Sequence, residues 1–186
     1  MKIKTVSIIF ATLFVFSATS FSQNFGDRLD FRVGAGVSLQ GTGDMTMLNY
    51  ENELNCTMNR YFTLAGSVNF GRSINGVFGD GSSSQGNIML FFSPFKNTRR
   101  FDFRFGPGLG FQKYSYSYQE WARYENGVLV DERFSVNKVR SFGPSLTFEG
   151  TYMLNDLYML GAKIYTKPFF DDNIDSGIMI KFGRRL

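Results

Sequence analysis

An all-β fold, an eight-stranded antiparallel up-and-down transmembrane β-barrel, is the architecture that three features of this sequence predict. Apolar and polar residues alternate with period two along eight segments of residues 23–186. The connections are mostly tight on one side of those segments and longer on the other. The apolar faces together carry about forty side chains, too many for the interior of so narrow a barrel, so they must point outward. No later stretch holds an apolar 3.6-residue period or is long enough for a membrane helix.

Composition removes most familiar chemistry. The 186 residues include 22 Phe, 9 Tyr and 20 Gly, but one Cys and no His. Without His there is no imidazole base or His-bearing zinc site, and a single Cys excludes disulfides within the chain and cysteine-cluster metal sites. No cofactor is expected. The net charge of +4 falls further if Lys2 and Lys4 are removed, and offers no argument for nucleic acid.

The segment 1–22 reads as a secretory signal peptide. Lys2 and Lys4 precede an apolar run from Val6 to Ser17, and Ala18-Thr19-Ser20-Phe21-Ser22 supplies small residues for cleavage. The run is too short to span a bilayer. Cleavage after Ser22 leaves 23–186 as one barrel domain, with no Cys at the cut for lipid anchoring.

Strands are expected at 28–40, 45–58, 61–72, 85–92, 101–113, 137–153, 157–167 and 174–183. The first shows the rule: Leu29, Phe31, Val33, Ala35, Val37 and Leu39 alternate with Asp30, Arg32, Gly34, Gly36, Ser38 and Gln40. Phe101 to Phe111 and Phe142 to Phe148 repeat it, and no Lys, Arg, Asp or Glu falls on the apolar face within these runs. Asn52 is that face's awkward polar member. Phe62, Phe92, Phe101, Tyr152, Tyr158 and Phe182 gather near one end, as an interfacial belt requires. In hydrocarbon an open sheet edge would leave amides and carbonyls unpaired, so the sheet must close.

Two turns set testable registers. A two-residue turn between Gly41 and Asp44 places Arg32 opposite Glu53, and the Asn126-Gly127 turn places Arg104 opposite Glu149. Asp30 and Lys181 are expected to lie close where the last strand meets the first, with Glu51, Asp102 and Lys163 extending the polar interior. Buried charges must pair, so these are expected to be ion pairs filling a closed lumen. The same carboxylates could in principle perform glycoside hydrolysis, but a packed narrow barrel offers no substrate cleft. Gly34, Gly36, Gly106, Gly108 and Gly110 leave room for the charged side chains and are not a phosphate loop. Pro107 and Pro144 remove ladder bonds from interior strands, for which a local bulge or bend is the expected remedy.

The longest connection, 114–136, predicts a hairpin continuing above the membrane. Tyr114, Tyr116, Tyr118, Trp121 and Tyr124 are its candidate binding residues, because exposed Tyr and Trp supply rigid contact area for an extracellular protein or glycan. Asp171, Asp172, Asn173 and Asp175 suggest calcium only weakly, since their spacing is not that of an EF-hand. Cys56 reads as a small lipid-facing residue.

This combination resembles the small bacterial outer-membrane β-barrel family that includes the OmpA transmembrane domain and OmpX, over residues 24–186. Asp175-Ser176-Gly177-Ile178-Met179-Ile180-Lys181-Phe182 is similar to the family's assembly signal, although the chain continues through Gly183-Arg184-Arg185-Leu186. The resemblance implies outer-membrane lipids and the outer-membrane insertion machinery as partners; the short turns on one side and longer loops on the other set the expectation that both termini lie in the periplasm. It implies a structural or surface-interaction, adhesion-like role and no enzyme. The competing readings are a secreted lipocalin-like barrel binding an apolar ligand and a lipid-modifying barrel enzyme. The family's acyltransferases and deacylases use His, which this chain lacks. A wide diffusion pore is disfavoured by the strand number.

Overall fold

The computed structural model describes residues 29–41, 45–74, 81–95, 100–125 and 127–186, apart from the side chain of Tyr124. The leader expected over 1–22, the middle of the first connection at 42–44, and Asn126 of the hairpin turn lie outside the described residues. Eight strands follow in chain order: β1 (Leu29–Gly41), β2 (Met45–Thr57), β3 (Phe62–Ser73), β4 (Gly81–Phe92), β5 (Phe101–Glu125), β6 (Val128–Met153), β7 (Tyr158–Pro168) and β8 (Ile174–Arg185). Each pairs antiparallel with the next, and β8 returns to β1, closing the barrel.

Alternation sorts every strand into an outer and an inner row. Along β1, Val37 and Leu39 stand exposed at 41% and 51%, whereas Arg32, Ser38 and Gln40 between them are buried. The inversion holds around the wall: Leu109, Phe111, Ile164, Ile178 and Ile180 face out, and Glu51, Glu53, Arg104, Lys163 and Lys181 face in. Asn52, a polar residue on the outer face of β2, accepts a 2.8 Å hydrogen bond from the Tyr50 hydroxyl. That bond satisfies its carbonyl oxygen, which would otherwise stand unpaired among apolar side chains.

One strand boundary departs clearly from expectation. β4 starts at Gly81, four residues before the predicted strand, because Gly81-Ser82-Ser83-Ser84 carries no apolar alternation to read. Its ladder to β3 nevertheless continues through Arg72↔Ser82. β5 and β6 run on together as the expected hairpin, with register shifts between Gln119 and Trp121 and between Arg123 and Tyr124.

Of the bulge or bend expected at the prolines, the ladders show no bulge. Pairing of β4 with β5 lapses between Met89↔Gly108 and Phe92↔Phe105, yet the register is the same on both sides. Pro107 has no N–H to give, and the ladder omits it and resumes. Pairing of β6 with β7 likewise stops at Leu146↔Thr166, below Pro144. A glycine precedes each proline, and a Cβ on Gly106 would strike the Leu90 carbonyl oxygen, one on Gly143 that of Pro168. Glycine lets the neighbouring chain close the gap that the missing hydrogen bond leaves. Gly106→Ala is therefore expected to destabilise the barrel by about 1–3 kcal/mol, as overpacking does. Urea titration followed by electrophoretic mobility measures this, and an unchanged midpoint would show that β4 moves aside freely.

Candidate functional site

The inner row of one half of the barrel is a charge network. Register sets Arg32 opposite Glu53 and Arg104 opposite Glu149. The side chains reach further than their cross-strand neighbours. Arg32 donates to Asp30 at 2.6 Å and also contacts Glu149, while Glu53 receives Arg104 at 2.7 Å and Lys181 at 2.6 Å. Glu149 is shared by Arg32, Arg104 at 3.0 Å and Lys181 at 3.3 Å. Lys163 bonds Glu51 at 2.8 Å and lies 3.5 Å from Glu53. Arg, Lys and Glu are long enough to cross a lumen this narrow, so each carboxylate serves cations from several strands.

The expected proximity of Asp30 and Lys181 is corrected. Asp30 faces Arg185 in the β1–β8 register, whereas Lys181 faces Gly34, four residues further along β1. Asp30 instead takes Arg32 and the Asn55 amide, and Lys181 reaches across to Glu51, Glu53 and Glu149. Gly34 leaves room for this crossing: a Cβ there would stand 3.3 Å from Lys181 Cγ, a tight contact. Asp102 lies at the edge of the network, with the Ser93 hydroxyl 3.5 Å away.

Asp30, Glu51, Glu53 and Glu149 thus face Arg32, Arg104, Lys163 and Lys181, one cation for each carboxylate. Desolvating so many charges is costly, and only such mutual neutralisation with additional hydrogen bonds offsets it. Asn55 donates to Glu53 and accepts from Arg104, and the Arg104 guanidinium also lies 4.0 Å from the Phe91 ring centroid. The two central carboxylates, Glu53 and Glu149, are at most 1% exposed. The arrangement neutralises charge and cross-links strands distant in sequence.

Further along the lumen, Lys167 bonds Gln85 at 2.6 Å and lies 3.8 Å from Asp175, itself bonded to Gln85 at 2.7 Å. Lys167 also sits 4.3 Å from the Tyr165 ring centroid. Beyond it Gln40 and Gln112 bond across the barrel, followed by a buried apolar cluster of Met45, Met47 and Tyr114. These residues were missed as a second network, although their strand parity alone puts them inside. Among the described residues no group of three or more metal-capable side chains assembles. The acidic run is divided: Asp175 is buried in the lumen, while Asp171 accepts from Ser141 and Asn173 at 2.7 Å each. Partial burial raises the Asp171 carboxyl, but those hydrogen bonds outweigh it and hold the group below its ordinary range.

The hairpin candidates separate by height. Tyr114, expected at the surface, is 6% exposed and lies 3.1 Å from the Met45 sulfur. Its parity is that of Arg104 and Gln112, so it points into the barrel. Tyr116 stacks on it at 5.2 Å between centroids, and Tyr118 follows at 6.2 Å. Tyr118 and Trp121 are exposed, as are Leu129, Val130, Phe134 and Val136 on the returning strand. The Tyr124 side chain lies outside the described residues.

No protein-family model matches this chain, and no curated protein does. Solved structures do. Ail, the attachment invasion locus protein of Yersinia pestis, superposes with a TM-score of 0.58 at 13% identity, over 86% of this chain and 99% of that one. Neisserial surface protein A gives 0.63 at 10% identity, over 87% and 97%. The outer-membrane protein OprG of Pseudomonas aeruginosa gives 0.57 at 12% identity, over 86% and 96%. With the barrel closed by eight strands and superposing on these structures along most of its length, the chain has the fold of the small eight-stranded barrels of bacterial outer membranes.

Proposed function

We propose that this protein, after loss of a leader at 1–22, is an integral barrel of the bacterial outer membrane with both termini periplasmic. It performs no catalysis and presents the β5–β6 hairpin to an extracellular partner. One observation carries the membrane reading: the wall is inside-out relative to a water-soluble protein. Ile180 is 68% exposed and Leu109 54%, while Arg104, Glu53 and Lys181 are sealed within. A lipocalin-like barrel would show the reverse, with its apolar row lining a ligand cavity. Membrane fractionation tests the point: the protein is expected in the outer-membrane fraction, extractable only by detergent. Recovery in the soluble periplasmic fraction would reject it.

The interaction role rests on the hairpin's Tyr118, Trp121, Leu129, Val130, Phe134 and Val136, apolar and aromatic side chains each left more than two-fifths exposed. Its described charges include Glu120, Glu125, Asp131 and Glu132 against Arg123 and Arg133. Ail has been solved with the heparin analogue sucrose octasulfate. The acidic excess here favours a protein over a sulfated glycan at the tip. Tyr116↔Asn137 is the last hairpin pair whose β5 residue also pairs with β4, so replacing 117–136 by an Asn-Gly turn keeps the barrel's own ladders. That variant is expected to keep heat-modifiable migration while cells displaying it no longer adhere to protein-coated surfaces. Undiminished adhesion would remove the hairpin from the role.

A further inference from the structure

The lumen matches each cation with a carboxylate, but the outer wall does not. Two rows of outward-facing residues cross β3, β4, β5 and β6 at the edge of the apolar wall. In the first, Phe70, Ser84, Lys113 and Arg140 are successive cross-strand neighbours; in the second, Arg72, Ser82, Ser115 and Lys138 are. The row immediately below is Val68, Gly86, Phe111 and Phe142, with no polar side chain.

Arg72, Lys113, Lys138 and Arg140 are all exposed, and neither row contains an acid. Lys113 stands directly opposite Arg140, where like charges are about 5 Å apart at Cβ and repel. Such a pairing is unfavourable in isolation and becomes favourable when an anion bridges it. The three serines between the cations add hydroxyl donors in the same rows. Beside Arg72 the wall also carries a groove of about 300 Å³, lined by Ala35, Leu48, Tyr50 and Phe70, and almost entirely apolar. The small side chain of Ala35 leaves this space between larger neighbours.

We propose that Arg72, Lys113, Lys138 and Arg140, with Ser82, Ser84 and Ser115 among them, bind the phosphate groups of a phosphorylated outer-leaflet lipid. Its acyl chains lie along the apolar wall, one of them entering through the groove beside Arg72, where the two rows continue onto β2 and β1 as Leu48, Tyr50 and Ala35. The assignment rests on the membrane reading above, which places this edge at the level of the headgroups. A free phosphate would use the cations but leave the apolar groove without a role.

The test uses the full protein, folded into phosphatidylcholine vesicles with or without bisphosphorylated lipid A, and native mass spectrometry after detergent extraction to count retained lipid. The quadruple variant R72Q/K113Q/K138Q/R140Q is compared with R123Q/R133Q, which alters the hairpin's ion-paired arginines instead. Each basic residue near an anionic surface contributes measurably, so lipid A retention is expected to fall at least about tenfold in the quadruple variant and to stay unchanged in the control. In phosphatidylcholine alone the quadruple variant is expected to be no less stable than the parent, because only repulsion has been removed. Equal retention by parent and quadruple variant overturns the belt. Displacement of lipid A by soluble pyrophosphate at equal concentration reassigns the site to free phosphate and overturns the lipid assignment. Failure of the parent to enter neutral vesicles overturns the membrane reading and this one with it, whereas normal insertion with unchanged retention overturns the belt alone.

Discussion

Glu53→Gln is expected to destabilise the barrel by about 3–5 kcal/mol, the usual consequence of removing one partner from a buried ionic cluster. Glu53 accepts from Arg104, Lys181 and Asn55 within 3 Å, with Lys163 at 3.5 Å. Neutralising it leaves those three cations to share Glu51 and Glu149 where each is at most 1% exposed. The substitution preserves volume and retains one oxygen, so the loss reports charge and not packing. Removing a cation as well should relieve part of it. Glu53→Gln with Lys181→Gln is expected to cost less than the two single changes together, the coupling expected between direct partners. Urea denaturation of the folded protein in vesicles, read by electrophoretic mobility, gives all three values. Additive effects would mean that the network contributes no mutual stabilisation.

Ile88→Arg tests the opposite face. Ile88 is 65% exposed and lies four residues along β4 from both Phe92 and Ser84, midway up the apolar wall, between Gly66 and Leu109. A basic residue at the centre of a bilayer costs roughly 2–4 kcal/mol on a barrel's lipid face. The same change on a surface facing water would usually fall within about 0.5 kcal/mol. Val136→Arg supplies the contrast, since Val136 is 63% exposed but stands on the hairpin, beyond the basic rows. The first variant is expected to fold in much lower yield into phosphatidylcholine vesicles, and the second to match the parent. Equal yields would mean that the wall at Ile88 does not meet hydrocarbon.

Strand parity made the barrel legible before any coordinates. Because successive side chains leave a strand on opposite sides, a run such as Leu29 to Gln40 declares two faces, and the volume of Phe and Leu decides which of them lies outside. Turn geometry went one step further: Gly41 and the Asn126-Gly127 pair set registers that put Arg32 opposite Glu53 and Arg104 opposite Glu149 at the backbone. The start of β4 escaped notice because serine and glycine pack equally well on either face. Tyr114 was assigned to the surface by its aromatic company, although its parity with Arg104 already pointed inward.

Alternation, face and much of the register are local or nearly local properties, and the amino-acid order was enough to settle them. The partners of the charges were a different matter. Once β8 closed on β1, the stagger of that seam placed Lys181 against Gly34 and let it cross to Glu51, Glu53 and Glu149, while Asp30 turned to Arg32 and Asn55. Long ionic side chains in a narrow enclosure choose partners by three-dimensional distance and not by strand neighbourhood, and that distance exists only after closure.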